Sequence, residues 1–355
     1  MKSSNKTDAQ RSAFDDWVDM MREWHRELDV TPDPDVVLTT KFSDSPDSEI
    51  HFGRYAGERR WESVAEIPQP EIKDELLRLI VWQGDSEVRA VEQARQLLDS
   101  APSEHDRRRL VRHMSEETRH GWQMAYLLVT HFGDEGRRAA RELLERRATR
   151  GEALLEMFNV TLNWVDVFSW HNWGDRVGKY QLTMFAGCGF APFARSIAPM
   201  LQEEGFHLVI GYQGMQRIAA AGRVPVEIHQ RYINRMLAIC YDAFGSEVSS
   251  RAQKVYDWGL KAPWSGGKVD PPRANERARA AFIEGGCLIS GNSTRRRSSL
   301  ASWPSSIAPI SARPPPRRRP RPTRARSGAT STPATSSRTS TRAGGRNRSP
   351  CATPR

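Results

Sequence analysis

The chain has 355 residues, 38% of them apolar and 11 of them tryptophan, enough material for a substantial core in one or two domains. A formal charge of +10 would suit a nucleic-acid binder. However, 15 of the 53 basic residues are arginines between Cys287 and Arg355, a stretch without a single acidic residue, so residues 1–286 hold 38 basic against 43 acidic groups. The body of the chain is mildly acidic, which excludes the nucleic-acid reading, and no apolar run nears the roughly 18 residues of a membrane span.

The opening MKSSNKTDAQRSAFDD has no apolar stretch for a signal peptide, and the four cysteines form no CxxC pair. A reduced, cytoplasmic setting is expected. Residues 1–69 read as an N-terminal helix and loop region. AFDDWVDMMREWHREL is an amphipathic helix pattern, and from Asp29 to Glu66 proline, glycine and aspartate mark loops in which a strand pair could lie.

Residues 70–285 read as the main domain, dominated by helical periodicity. Four long segments are predicted, at Glu71–Leu98, Asp106–Phe132, Asn163–Ala186 and Ala194–Ala220. The second follows a loop and N-cap in APSEH and stops at Gly133. Between the two pairs, GRRAARELLERRATRGEALLEMF predicts a connecting helix with a solvated outer face, and VPVEIHQRYINRMLAICYDAF predicts a further helix behind Pro225. Residues 286–355 read as a disordered Arg/Pro/Ser/Thr-rich tail, of the composition that GC-rich codons yield when translated out of frame.

Of the nine histidines, only His120 and His207 have a glutamate three residues earlier, in SEETRH and QEEGFH. On a helix, i and i+3 share a face, so Glu117–His120 and Glu204–His207 each present two metal ligands in one direction. About one such pairing is expected by chance at this composition. The spacing supplies the specificity: Glu87 precedes Glu117 by 30 residues and Asp175 precedes Glu204 by 29. That separation suits an antiparallel hairpin, with roughly 22 Å up and 22 Å back at 1.5 Å per residue. Two hairpins then aim four carboxylates and two histidines at one axis, the ligand arrangement of di-metal carboxylate bundles.

The expected fold is all-α, a ferritin-like four-helix bundle with flanking helices. The stripes around these residues are otherwise apolar, with Leu76, Ile80 and Val91 beside Glu87 and Ile197, Met200 and Met215 beside Glu204. Carboxylates and imidazoles in such stripes are costly unless paired or metal-bound. Four hard oxygens and two imidazoles suit two iron ions, with manganese or zinc open on ligand type alone. His113, one turn before Glu117, reads as a core histidine or a support for the ligands. Gln83, one turn before Glu87, is the candidate catalytic residue, placed to hydrogen-bond a ligand or a substrate, with a plain core amide as the alternative. Glu116 and Glu203 stand about 100° away around their helices and read as supporting or surface carboxylates. Gly174, Gly178, Gly187 and Gly189 leave room for an aromatic ring or for close helix packing.

The motifs WQGDSEVRAVEQ, EETRHGWQMAYLL, GDRVGKYQLTMFAGCGFAPFARS and EEGFHLVIG resemble the phenylacetic acid catabolic family of di-iron oxygenases over about residues 70–285. Within it they look more like the benzoyl-CoA epoxidases than the phenylacetyl-CoA epoxidases, with Asp175 matching an aspartate where many di-iron proteins have glutamate. The resemblance implies iron ligands at Glu87, Glu117, His120, Asp175, Glu204 and His207. It also implies an aryl-CoA thioester and O2 as substrates, an NADPH-dependent reductase as electron donor, and a helical partner subunit or a homo-oligomer. A ferritin-like oxidase and a non-catalytic scaffold subunit are the alternatives. Family members continue with ordered sequence beyond the region matching RANERARAAFIE, where this chain carries its tail.

Overall fold

A computed structural model of the chain describes residues 13–44, 48–160, 162–244 and 249–264. The tail predicted for residues 286–355 lies outside the described residues, as does the end of the main domain. The fold is all-α and ferritin-like, with helices α1 (Ala13–Glu27), α2 (Pro70–Arg95), α3 (Glu104–His131), α4 (Gly133–Glu145), α5 (Trp164–Phe185), α6 (Ala191–Ala221), α7 (Val226–Asp242) and α8 (Ser250–Asp257). Among the described residues no helix is long and apolar enough to cross a membrane.

Local chemistry sets the helix ends. Pro70 opens α2 with φ fixed and no amide hydrogen to leave unsatisfied. Ser103 caps α3 by accepting from the Asp106 amide, and Asn163 and Asp166 form a reciprocal capping box at the start of α5. Gly222 ends α6 at φ 61°, a left-handed conformation that glycine adopts without strain.

α2 packs on α3 and α5 on α6, giving two antiparallel hairpins, and α3 meets α6 across the bundle. One glycine in each hairpin lets the backbones close up. A Cβ at Gly121 would lie 2.8 Å from Val88 Cγ2, and one at Gly211 would lie 2.4 Å from the Asn172 nitrogen on α5. The core side chains include Leu76, Ile80, Val88, Met124, Ile197 and Met200, all essentially inaccessible to solvent. α1 lies against α3 and α4, burying Trp17, Met21 and Trp24, a side chain of Met21's size contributing about 1.5–3 kcal/mol. α7 packs on α5.

The connecting segment differs from its prediction. Its helix ends at Glu145, and residues 146–160 continue as a loop with short 3-10 turns at Ala148–Arg150 and Glu156–Phe158. Within the helix, Asp134, Glu135, Arg137, Arg138, Arg141 and Glu142 form the expected solvated outer face, while Ala139, Ala140, Leu143 and Leu144 are buried on the other side. Polar groups of α2 hold the loop. Arg89 donates to the Leu143 and Arg146 carbonyls, and Glu92 accepts from the Ala148 amide at 2.7 Å. Asp85 accepts from the Leu154 amide at 2.8 Å, and Gln93 donates to the Met157 and Val160 carbonyls at 3.0 and 2.9 Å. No strand pair forms among the described residues of the N-terminal region, where only the isolated bridges Glu49–Arg59 and Trp61–Phe190 occur.

Candidate metal centre

The four central helices bring all six predicted ligands to one place, every one of them buried. Oxygen and nitrogen atoms of Glu87, Glu117 and His120 lie within 4.8 Å of one another, as do those of Asp175, Glu204 and His207. His120 Nδ1 faces Glu87 Oε2 at 3.3 Å, Glu117 Oε2 at 3.8 Å and Glu204 Oε1 at 4.0 Å. His207 Nδ1 faces Glu117 Oε1 at 3.2 Å, Glu204 Oε2 at 3.5 Å and Asp175 Oδ2 at 4.0 Å. Glu117 and Glu204 therefore turn one oxygen to each histidine, while Glu87 stands at one end and Asp175 at the other. Two groups of donor atoms that share Glu117 and Glu204 result.

Outside this ring the two halves exchange supports. His120 Nε2 meets Glu203 Oε2 at 2.8 Å, and His207 Nε2 meets Glu116 Oε2 at 3.0 Å. Glu203 is held in turn by Arg119 and by Lys41 at 3.0 Å, and Glu116 by Arg112 at 2.9 Å. An imidazole that donates from Nε2 to an outer carboxylate keeps its Nδ1 lone pair for the centre. The lone carboxylates have supports one turn earlier: Gln83 donates to Glu87, and His171 Nδ1 lies 2.7 Å from Asp175 Oδ2.

Charge is distributed accordingly. Burial pushes the Glu117 carboxyl well above its usual range and the Glu87 charge adds to this. Burial also acts on Glu87, but hydrogen bonds from Glu117, His120 and Gln83 outweigh it and hold Glu87 at about 2. Glu204 is raised by burial. For His120 and His207 burial is outweighed by the surrounding carboxylates, which lift both well above the usual imidazole range. His113 goes the other way, lowered by burial and by the neighbouring imidazoles. The centre thus attracts positive charge, and a metal ion competes with protons for the same atoms.

The residues fit such an ion. Ligands about 2.1 Å from one metal stand about 3 Å apart when adjacent in an octahedron, near the 3.2–3.5 Å between His207 Nδ1 and its two glutamates. His207 Nδ1 is buried without a hydrogen-bond partner, as a metal-directed nitrogen would be. Oxygen-rich donors with imidazole suit iron or manganese.

Beside the centre lies a pocket of about 100 Å³. Glu87, Glu117, Asp175 and Glu204 form one side, with Gln83 at the edge, and Trp82, Leu155, Met157, Phe158, Trp170 and Phe185 form much of the rest. Gly174 and Gly178 line this space, whereas Gly187 and Gly189 serve packing, since a Cβ there would meet Ala262 at 2.4 Å or Ile50 at 2.8 Å. The exchanged roles of Glu116 and Glu203 were only half visible beforehand. The signal is the doubled glutamate in both SEETRH and QEEGFH, whose first member turns toward the neighbouring helix's histidine. The pocket wall at Leu155–Phe158 carried no periodic signal.

No protein-family model matches the chain. The chain is 36% identical over 245 residues to benzoyl-CoA oxygenase component B of Aromatoleum evansii, an alignment covering 63% of this chain and 51% of that protein. The chain spans about half the length of this curated relative, and the two are homologues.

Proposed function

We propose that this chain is the oxygenase component of a di-iron monooxygenase that epoxidises the aromatic ring of an aryl-CoA thioester, benzoyl-CoA ahead of phenylacetyl-CoA. O2 is the oxidant, and a separate NADPH-dependent reductase supplies electrons. Glu87, Glu117 and His120 would hold one iron and Asp175, Glu204 and His207 the other, with Glu117 and Glu204 each turning one oxygen to either histidine. The observation that carries this reading is the convergence of two carboxylate–histidine triads on one wall of an aromatic-lined pocket. The printed name of the relative supports the substrate class.

When bound, the iron pair supplies activation of O2. The chain's own residues do the rest. Glu116 and Glu203 fix the two ligand imidazoles in the Nδ1-inward orientation. Gln83 donates to Glu87 and stands at the pocket edge, where its amide can also reach a substrate oxygen. Trp82, Phe158, Trp170 and Phe185 exclude water and stack or edge against a planar ring. Gly178 leaves the space next to Glu204 open, so the ring can approach the bridging carboxylate closely.

The test is the iron content of purified protein beside a Glu117→Ala, Glu204→Ala double variant, followed by NADPH-driven turnover of benzoyl-CoA with a reductase. About two irons per chain in the parent, near none in the variant, and formation of a ring epoxide are expected. Iron that oxidises without consuming the thioester would instead identify a ferritin-like oxidase.

A further inference from the structure

α3 carries another potential donor on the face that bears Glu117 and His120. His113 lies four residues before Glu117, so His113, Glu117 and His120 follow one another along a single stripe. Its side chain is 3% exposed and its Nδ1 lies 3.4 Å from Glu117 Oε1, without a hydrogen-bond partner. The same Glu117 oxygen stands 3.2 Å from His207 Nδ1, which is also buried and unpartnered. The His113 and His207 rings meet edge to face, their centroids 4.4 Å apart and their planes at 89°. Donor atoms of His113, Glu117 and His207 all lie within 4.8 Å of one another. Two buried nitrogens converging on one carboxylate oxygen, neither hydrogen-bonded, is an expensive arrangement unless a cation sits among them.

We infer that His113 is a seventh metal donor, the third imidazole of the centre and the second on the ion held by Asp175, Glu204 and His207. The inference rests on the reading that the cluster holds two metal ions. It also accounts for an asymmetry between the hairpins. The residue in the matching place on α6, four before Glu204, is the buried Met200, which offers no nitrogen. The position served by the short aspartate arm is thus the one that gains the extra imidazole, and the two ions sit in unlike surroundings. Chemically, a neutral nitrogen at this place would add a donor without adding negative charge to a cluster already rich in carboxylates.

The experiment loads the parent, His113→Ala and His113→Gln anaerobically with Fe(II). Iron per chain is measured after dialysis against a weak chelator, and ligated imidazoles are counted by pulsed electron paramagnetic resonance of the mixed-valence centre in 15N-histidine-labelled protein. Expected are three coupled imidazoles in the parent and two in His113→Gln. Both variants should lose one of the two irons, with at least about 10-fold weaker retention, the lower end of what disturbing a ligand's surroundings costs. Imidazole added to His113→Ala should restore retention. The glutamine separates ligation from support, because its amide can reach and hydrogen-bond Glu117 but offers no imidazole nitrogen. Two coupled imidazoles in the parent, or parent-like iron retention in His113→Gln, overturn the inference while leaving the di-iron reading intact. A parent that binds no iron overturns both. If the alanine variant does not fold, the imidazole count in the parent decides alone.

Discussion

In the α2–α3 hairpin the lone carboxylate is a glutamate steadied by the amide of Gln83, whereas in α5–α6 it is an aspartate steadied by the His171 imidazole at 2.7 Å. The ExxH halves match closely, each histidine turning Nδ1 inward and Nε2 toward the other hairpin's outer glutamate. Their surroundings differ too: α1 and α4 lie along the first hairpin, and α7 packs on the second. Helix geometry repeats the places of the donors. Side-chain length and the residue one turn earlier decide what each place is like, so a twofold frame holds two unequal sites.

The sharpest way to break the comparison is to remove an end ligand and a bridge in turn. Glu204→Ala takes an oxygen from both histidine positions and should leave almost no bound iron and no oxygenation. Glu87→Ala should spare the Asp175 side and keep about one iron per chain, the share one triad holds. Metal analysis after gel filtration distinguishes the two.

Lengthening or shortening the arms sharpens it further. Asp175→Glu should keep iron but displace the His171 contact, and turnover should fall about 10–100-fold, the scale on which ligand supports act. Combining it with Glu87→Asp should not restore the rate, because Gln83 and His171 stay where they were. Steady-state rates of the two single variants and the double variant test this.

A third prediction concerns the brace on the first hairpin. Burial pulls the pKa of His25 on α1 from 6.5 to about 4, with only a 3.5 Å contact to Thr118 Oγ1 in return. The folded state keeps this ring neutral while the unfolded chain takes up a proton below pH 6.5. Stability is therefore lost as pH falls from about 6.5 to about 4, by about 3 kcal/mol over the full window at 1.36 kcal/mol per unit. Urea unfolding of the parent and His25→Gln at pH 7 and pH 4.5 should show a smaller acid loss in the variant, and hydrogen exchange should place the difference in α1.

The smallest effect is expected at the pocket. A Cβ at Gly178 would sit 3.7 Å from Glu204 Oε2, an ordinary contact, so Gly178→Ala should leave the melting temperature nearly unchanged. It should raise KM for the aromatic thioester a few-fold, about what one methyl in a tight pocket costs.

The donors were legible in the sequence because helices make them so. A three-residue ExxH step and a 29- or 30-residue return are periodic facts, and they point Glu87, Glu117, His120, Asp175, Glu204 and His207 to one place, where the fold gathers them. The ends of α3 were legible through the N-cap in APSEH and the stop at Gly133. What stayed hidden depends on contacts between distant residues. Which helix faces Glu116 or Glu203 follows from bundle packing. The loop at 146–160 was read as helix because its arginines, leucines and glutamates favour one, while bonds to α2 that have no period decide otherwise.

Those bonds have a consequence for how such a protein could change. Asp85, Glu92 and Gln93, with Arg89, reach amide hydrogens and carbonyls of the segment that builds one pocket wall. They grip its main chain rather than the side chains of Leu155, Met157 and Phe158, of which Phe158 packs edge-on against Trp170. Mutation at these three positions can reshape the wall against a new ring while the main-chain attachment to α2 is kept. Under the function proposed above, the choice of ring and the metal-holding residues are thereby separable traits, open to selection one at a time.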